Sequence, residues 1–156
     1  MKPEEFIAAI APAAQDLAAR TKIPASFTVA QAALESSWGA SKLAQLGFNL
    51  FGVKADRSWT GPTLSLPTTE YLGGKPTTVQ ALWRKYDSWL ASLEDRARFL
   101  LDNPRYRAAF LCTDGESFAA AVQAAGYATD PQYAMKILAI MRGRNLHSLD
   151  GPVALS

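Results

Sequence analysis

The sequence predicts an α+β protein, a mainly helical domain that contains one small β-hairpin. Apolar residues recur with the 3.6-residue period of helices on both sides of a central stretch. Within residues 48–89, Gly, Pro and Thr become frequent and helix formers become rare. The total length of 156 residues is that of one domain, and we assign residues 1–145 to it.

Three helices are predicted before the hairpin. The first covers about residues 3–20, with Pro3 in its first turn. The second covers about residues 27–37, and Ser26 is expected to be its N-cap. The third covers about residues 41–46, and Gly47 is expected to follow it in the left-handed conformation.

The hairpin is predicted from two segments that are rich in Thr, Val and aromatic residues. They cover residues 63–71 and 77–86, and Gly73-Gly74 between them indicates a tight turn. Pro67 and Pro76 favour edge strands or strand ends, because proline has no N–H to donate to a neighbouring strand.

Helices are expected again after the hairpin. One begins at Ser92 with a capping-box pattern, and two shorter ones cover about residues 105–110 and 116–125. Asp130 is predicted to cap the last helix, with Pro131 in its first turn. Residues 146–156 show no periodicity, so a flexible tail is expected there.

Composition excludes several classes of function. The formal net charge of +2 is too small to indicate a nucleic-acid partner. The single cysteine, Cys112, excludes an internal disulfide framework, and the single histidine, His147, excludes metal sites built on several histidines. We therefore expect neither a metal nor a cofactor. The apolar runs are too short for stable membrane insertion, and residues 1–5 lack a secretory pattern, so synthesis in the cytoplasm is expected.

Glu35 is the sharpest candidate for chemistry. It stands alone among apolar, small and uncharged residues near the end of the second helix, where an ionised carboxylate would lose hydration. Its pKa should therefore rise, which suits a general acid that works near neutral pH. Trp38, three residues later, is expected on the same face of the helix, and Gly39 is expected to leave room for a ligand. The alternative is a surface glutamate on an amphipathic helix.

The hairpin adds a second carboxylate and several aromatic rings. Glu70 is the only carboxylate in the predicted hairpin. The alternative to a catalytic role for Glu70 is that of a solvent-facing strand residue. Aromatic side chains that the core cannot cover would suit the flat faces of sugar rings. We predict that substrate is bound by Trp38, Asn49, Phe51, Trp59, Tyr71, Trp83 and Tyr133.

Seven short blocks then occur in an order that resembles the glucosaminidase domains of glycoside hydrolase family 73. They are AQAALESSWG (30–39), NLFGVK (49–54), WTG (59–61), TEY (69–71), WRKYDS (83–88), NPRY (103–106) and AGYATDPQYA (125–134). The resemblance implies a lysozyme-like fold, in which a helical lobe and a small β-hairpin lobe flank a substrate groove. It also implies cleavage of the β-1,4 bond after N-acetylglucosamine in peptidoglycan.

The resemblance also assigns roles to residues. Glu35 falls on the catalytic acid of the family, Glu70 on a proposed second carboxylate, and Tyr127 on a tyrosine that is thought to place the acetamido group or water. Family members often carry further domains, whereas this chain is expected to consist of the catalytic domain alone. It therefore resembles a phage or prophage endolysin, or the hydrolase domain of a flagellar member of the family. An endolysin would act in the periplasm after release, on glycan strands and as a monomer.

Three alternatives to this function stay open at this point. A muramidase and a lytic transglycosylase can share the fold and a glutamate at a helix end, and they act on the same polymer. A glycan-binding module without catalysis would explain the aromatic residues. It would not explain why Glu35 stands alone among small and apolar residues.

Overall fold

The computed structural model describes residues 1–151 and confirms the predicted α+β class. Helices precede and follow one antiparallel hairpin. The elements are α1 (Pro3–Thr21), α2 (Ala25–Ser36), α3 (Lys42–Leu46), β1 (Thr63–Leu72), β2 (Lys75–Arg84), α4 (Trp89–Asp102), α5 (Gly115–Ala124) and α6 (Tyr133–Gly143), with 3-10 helices at Pro104–Leu111 and Leu146–Asp150.

Helix α2 is the centre of the core. It packs against α1, α5 and α6, and every residue from Ala25 to Ala33 is buried. Small side chains such as Ala30 and Ala33 let the neighbouring helices approach closely. A helix that is apolar on all sides belongs in a core. Only its C-terminal turn, which carries Glu35, reaches a half-buried position.

The N-terminus of α2 is capped by a distant residue. Pro24 occupies the N-cap position and has no side-chain donor or acceptor, while Ser26 lies inside the helix. The Asp150 carboxylate accepts hydrogen bonds from the Ser26 amide at 2.8 Å and from the Ser26 hydroxyl at 2.6 Å. The prediction of Ser26 as N-cap is therefore wrong, because an acid from the end of the chain supplies the acceptor.

The same contact corrects the predicted flexible tail. Leu146–Asp150 forms a 3-10 helix against α2, and Leu146 is only 1% exposed. The absence of periodicity was misleading because five residues are too few to show a helical period. The prediction of flexibility is wrong for residues 146–150, and residues 152–156 lie outside the described residues.

Helix ends elsewhere also differ from the sequence-based expectation. The Ser88 hydroxyl caps α4, so this helix begins three residues before the predicted Ser92, which is buried and accepts a hydrogen bond from the Leu50 amide. Gly47 has a φ of −110° and is not left-handed; Phe48, with a φ of 52°, makes the turn instead. Local propensity identified these helices but misplaced their ends.

The last helix begins later than predicted. Helix α6 starts at Tyr133, and Gln132 occupies its N-cap position. The Asp130 carboxylate accepts a hydrogen bond from the Gln132 amide at 2.8 Å, so it stabilises the turn that precedes the helix. Asp130 is therefore not the N-cap, although it stabilises the same bend of the chain.

The hairpin matches the prediction closely. Gly73 and Gly74 have φ values of 60° and 79°, as a type I′ two-residue turn requires. Leu72 therefore pairs with Lys75, and the register continues to Thr63 opposite Arg84. Both central positions of the turn favour glycine, because other residues are strained at positive φ.

The hairpin is curled rather than straight. Lys54 forms an isolated bridge with Trp83, at the base of β2, yet its ammonium lies 2.9 Å from the carboxylate of Glu70, near the tip of β1. Glu70 is paired with Thr77, and a straight strand would place Thr77 about 20 Å from Trp83. Two side chains cannot span that distance, so the hairpin bends and its half-buried face is concave.

The cap on α2 generates a stability prediction. Asp150→Ala removes two acceptors from a helix N-terminus, and we expect the free energy of unfolding to fall by about 1–2 kcal/mol. Urea unfolding measures this change. Asp16→Ala, which breaks an exposed ion pair with Arg20, is the matched control and should change it by no more than about 0.5 kcal/mol. Equal stability of wild type and Asp150→Ala would contradict the capping role.

Candidate active site

A groove runs between the helical part of the chain and the base of the hairpin. Its inner part is a cavity of about 600 Å³, lined by Glu35, Arg96 and Tyr127 on one side and by the 51–58 loop on the other. A neighbouring cavity of about 730 Å³ shares Arg84 and Asp95 with it and extends past Trp59. Together they form one elongated open groove, the shape that an extended polymer requires.

Glu35 lies in this groove beside two phenols. The hydroxyl groups of Tyr127 and Tyr133 donate to its Oε2 at 3.4 Å and 3.3 Å. The Gln31 side-chain amide donates to the Tyr133 oxygen at 2.8 Å and so fixes the direction of that hydroxyl. The carboxyl group is therefore oriented by donors from the segment after α5 and from α6.

Burial raises the pKa of Glu35 from its ordinary value of 4.5 to about 7. The charge of Arg96 and the hydrogen bonds from Tyr133 and Tyr127 act in the opposite direction, but desolvation outweighs them. Burial also raises the pKa of each of these two tyrosines, so both remain hydrogen-bond donors. A large fraction of Glu35 is consequently protonated at neutral pH, and the sequence-based expectation of a raised pKa is confirmed.

Trp38 is not the group that desolvates Glu35. Helix α2 ends at Ser36, and the positive φ values of Ser37 and Trp38 (52° and 58°) direct the Trp38 ring away from the groove. It packs edge-on against Phe6, with the ring centroids 6.1 Å apart. The prediction is wrong because the i+3 rule applies only where the helix continues.

Gly39 has a structural role rather than the predicted one of leaving space for a ligand. Its φ is 78°, and a Cβ at this position would lie 2.9 Å from both the Phe6 and Trp89 rings. Glycine is therefore needed for the close approach of the chain to the core.

Glu70 is separated from the Glu35 cavity. Its carboxylate is ion-paired to Lys54 at 2.9 Å on the concave face of the hairpin. Lys54 lines the cavity, whereas Glu70 is not among the lining residues in the described part of the chain. The structure therefore does not bring the two predicted catalytic carboxylates together, and Glu70 would need the hairpin to move before it could act there.

The seven predicted substrate-binding residues divide into two groups. Phe51 and Trp59 line the groove, and Tyr133 contacts Glu35. The others lie outside the lining. Trp38 is half-buried against the core, Tyr71 is exposed near the hairpin tip, and Trp83 lines a separate small cleft with Leu43 and Leu66.

Asn49, the remaining member of the second group, is 1% exposed and holds a turn together. Its side-chain amide donates to the carbonyl groups of Val53 and Arg84, each at 2.9 Å, and its oxygen accepts from the Val53 amide. It therefore has no free donor for a ligand and positions the 49–53 turn that forms one wall of the groove.

Two groove features were missed by the sequence analysis. Arg96 is 9% exposed, and its guanidinium lies against Phe51, Phe99 and Tyr127. A signal was present, because Arg96 falls on the apolar stripe of α4 with Leu93, Ala97 and Leu100. Its charge interrupts a face that must be buried.

The second missed feature is an ion-pair cluster on the groove wall. Arg84 pairs with Asp95 at 2.9 Å and with Asp56 at 3.2 Å, and the Tyr86 hydroxyl also donates to Asp95. The cluster joins β2 to α4 and to the 51–58 loop. Spacing along the chain gave no signal for it, because its members come from three separate segments.

Within residues 1–151, no group of three or more His, Cys, Asp and Glu side chains is arranged to hold a metal ion. In the same range, no helix combines the length and apolar character needed to cross a bilayer.

Comparison with known proteins assigns the family. Residues 11–146 match the family model Glucosaminidase, described as mannosyl-glycoprotein endo-beta-N-acetylglucosaminidase. The chain belongs to this glucosaminidase family. The resemblance inferred from the ordered sequence blocks is thereby confirmed.

Individual relatives agree with the family assignment. Peptidoglycan hydrolase FlgJ of Salmonella typhimurium is 39% identical, over 89% of this chain and 45% of its own length. Exo-glucosaminidase LytG of Bacillus subtilis is 37% identical, over 93% of this chain and 52% of its own. The catalytic domain of the autolysin Auto from Listeria monocytogenes has a TM-score of 0.86 at 33% identity, covering 94% of this chain and 86% of that domain.

The chain spans about half the length of the curated relatives it matches, so what it shares with them is a domain. The autolysin structure shows that such a domain has this fold, with the helices and hairpin described above.

The raised pKa of Glu35 generates a prediction about stability. A carboxyl group whose pKa is higher in the folded than in the unfolded protein contributes its full stabilisation below pH 4.5. This stabilisation is lost as the pH rises through about 7. Glu35→Gln should therefore be more stable than wild type at pH 8, by about 2 kcal/mol after allowance for partial exposure, and similar at pH 4.

Urea unfolding at both pH values measures this difference. The exposed acid Glu5, changed to Gln, provides the control and should leave the difference between the two pH values as in wild type. A Glu35→Gln protein that is less stable than wild type at pH 8 would show that the folded protein stabilises the ionised carboxylate, which contradicts the raised pKa.

Proposed function

We propose that the chain is a peptidoglycan hydrolase that cleaves the β-1,4 bond after N-acetylglucosamine. The observation that carries this proposal is Glu35, an isolated carboxylic acid with a pKa of about 7 in an elongated groove. Family membership supports a glycosidase, and the names of FlgJ and LytG support peptidoglycan and glucosaminidase chemistry.

Glu35 has the properties of the general acid. It is protonated before reaction, and it can pass its proton to the glycosidic oxygen as the bond to the sugar breaks. The resulting carboxylate is stabilised by Tyr127, Tyr133 and the nearby charge of Arg96. The same groups that lower the pKa in the resting site thus support the charge that develops during the reaction.

The second step favours help from the substrate. No unpaired carboxylate faces Glu35 across the cavity within residues 1–151, because Asp95 and Asp56 both pair with Arg84 and Glu70 pairs with Lys54. We infer that the acetamido oxygen of the substrate attacks the sugar carbon, and water then opens the cyclic intermediate. We expect Tyr127, which lines the cavity, to orient the acetamido group.

Chemically related enzymes remain distinguishable by their products. A muramidase would leave N-acetylmuramic acid at the new reducing end, and a lytic transglycosylase would leave an anhydro-sugar. A glycan-binding module would release no reducing ends at all. The raised pKa of Glu35 favours an enzyme over a binding module, since binding alone gives no reason to bury an acid.

Mass spectrometry of digested peptidoglycan tests the reaction directly. Wild type should release fragments with N-acetylglucosamine at the reducing end. Glu35→Gln should lose activity by about 10²–10⁴-fold because the proton donor is missing, while circular dichroism shows an intact fold. Glu5→Gln, an exposed substitution, is the control. Wild-type activity in folded Glu35→Gln would refute the acid role.

The anomeric configuration of the product tests the second step. Attack by the acetamido group predicts retention, which NMR detects in the first minutes of digestion. Glu70→Gln should then keep most of its activity, and Lys54→Met is its matched control because each breaks the same ion pair. Inversion, together with loss of activity only in Glu70→Gln, would instead identify Glu70 as the base that activates water.

The biological setting stays a prediction. Release by phage-type lysis, action in the periplasm, a monomeric state and the absence of a nucleic-acid partner follow from the sequence reasoning alone. Expression with and without a membrane pore protein would test the release route, since lysis should require the pore.

A further inference from the structure

Three buried side-chain atoms have no hydrogen-bond partner in the described part of the chain, and two of them line one small cavity, whereas the third, the Tyr106 hydroxyl, does not. The two at the cavity are Nε of Arg96, a donor, and Oε1 of Gln31, an acceptor. Both belong to side chains that are at least nine-tenths buried. An unpaired buried polar atom costs about 1–3 kcal/mol, so a complementary pair of them calls for an explanation.

A small cavity connects these two residues. It lies between α1, α2 and α4, has a volume of about 10 Å³, and is lined by both Gln31 and Arg96. This volume is about that of one water molecule. The hydroxyl-bearing side chain of Thr28 lines the same cavity, so three polar residues surround a space that is otherwise apolar. One water could accept from Arg96 and donate to Gln31.

Other contacts of Gln31 and Arg96 lead toward Glu35, although the Arg96 guanidinium also donates to the Phe51 carbonyl at 3.5 Å. Gln31 donates to the Tyr133 hydroxyl at 2.8 Å, and Tyr133 donates to Glu35 at 3.3 Å. The Arg96 guanidinium lies 4.8 Å from the centre of the Tyr127 ring, and the Tyr127 hydroxyl also donates to Glu35. Arg96 lines both the small cavity and the groove, so it joins the two.

We propose that Gln31 and Arg96 are positioning residues for Glu35, linked behind the site by one internal water that occupies the small cavity. The proposal rests on the proposed function only in taking Glu35 as the acid. The network runs from Arg96 through the water, Gln31 and Tyr133 to the carboxyl group. It fixes both tyrosines and places a positive charge where Glu35 becomes negative.

Other titratable groups near Glu35 could also influence its ionisation. The titratable groups in contact with Glu35 are Tyr127 and Tyr133, which remain neutral phenols, whereas Arg96 on α4 acts on Glu35 through its charge. Across the cavity lie Lys54, Asp56, Arg84 and Asp95, whose charges largely pair with one another or with Glu70. Arg96 forms no salt bridge within residues 1–151, so its charge is the one least compensated by a direct ion pair.

A crystal structure of the wild-type chain at atomic resolution tests the water. Density for one water within hydrogen-bond distance of both Arg96 Nε and Gln31 Oε1 is expected. A cavity without density, or one closed by side-chain movement, would overturn the link. This measurement needs no variant and does not depend on activity.

Titration of the Glu35 carboxyl by ¹³C NMR tests the positioning role. Arg96→Met should raise the pKa of Glu35 by about one unit, because the opposite charge is lost. Arg96→Lys should restore most of the pKa. Gln31→Met should leave the charge in place but release the Tyr133 hydroxyl, which lowers kcat by about tenfold with little change in KM. Arg20→Met, an exposed change on α1, is the control.

The outcomes separate this proposal from the proposed function. An unchanged Glu35 titration in folded Arg96→Met, or wild-type kcat in folded Gln31→Met, overturns the positioning roles. If Glu35→Gln stayed active, the acid role would fail while the titration would still report on the network. Should Arg96→Met fail to fold, the kcat of Gln31→Met and the wild-type crystal structure decide the matter.

Discussion

The structure depends on one constraint, the desolvation of a carboxylic acid at the end of a fully buried helix. Helix α2 has no polar face, so its last turn can present Glu35 only where the core meets the groove. Desolvation raises the pKa of Glu35, and the two phenols and Arg96 keep the rise within the neutral range. Without these opposing groups, the acid would hold its proton too tightly to donate it well.

The surroundings of α2 follow from the same constraint. A helix buried on all sides still needs acceptors for its first amides, and Pro24 supplies none. Asp150 therefore reaches in from the end of the described chain, and the small residues of α2 let α1, α5 and α6 pack closely enough to exclude water. The position of the acid is thus fixed by packing at both ends of one helix.

The groove walls are held by a different kind of interaction. Arg84 joins β2 to α4 through Asp95, and Asn49 joins the 49–53 turn to the carbonyl of Arg84. These polar contacts lie between segments that share little apolar surface. The curl of the hairpin is likewise held by the exposed ion pair of Lys54 with Glu70. Exposed pairs contribute little stability, so the hairpin is the part of the groove that can move at least cost.

The sequence predicted what local rules control and missed what tertiary contacts control. The helical period located every α-helix, Gly73-Gly74 located the turn, and the isolation of Glu35 in a small-residue segment indicated its raised pKa. Trp38 was misplaced because the positive φ values of Ser37 and Trp38 end the helical geometry on which the prediction relied.

Arg96 is a groove residue that the sequence could have indicated. A charged residue on the apolar face of a predicted helix conflicts with burial, and the conflict is resolved here by three aromatic rings from different segments. Phe99 lies three residues after Arg96 on the same helix, but no spacing rule could name Phe51 or Tyr127. The conflict itself was visible in the sequence. A buried charge is tolerated only when something compensates its desolvation, and the charge of Arg96 in turn favours the ionised form of Glu35. Burial of Glu35 and burial of Arg96 therefore act on the same pKa in opposite directions.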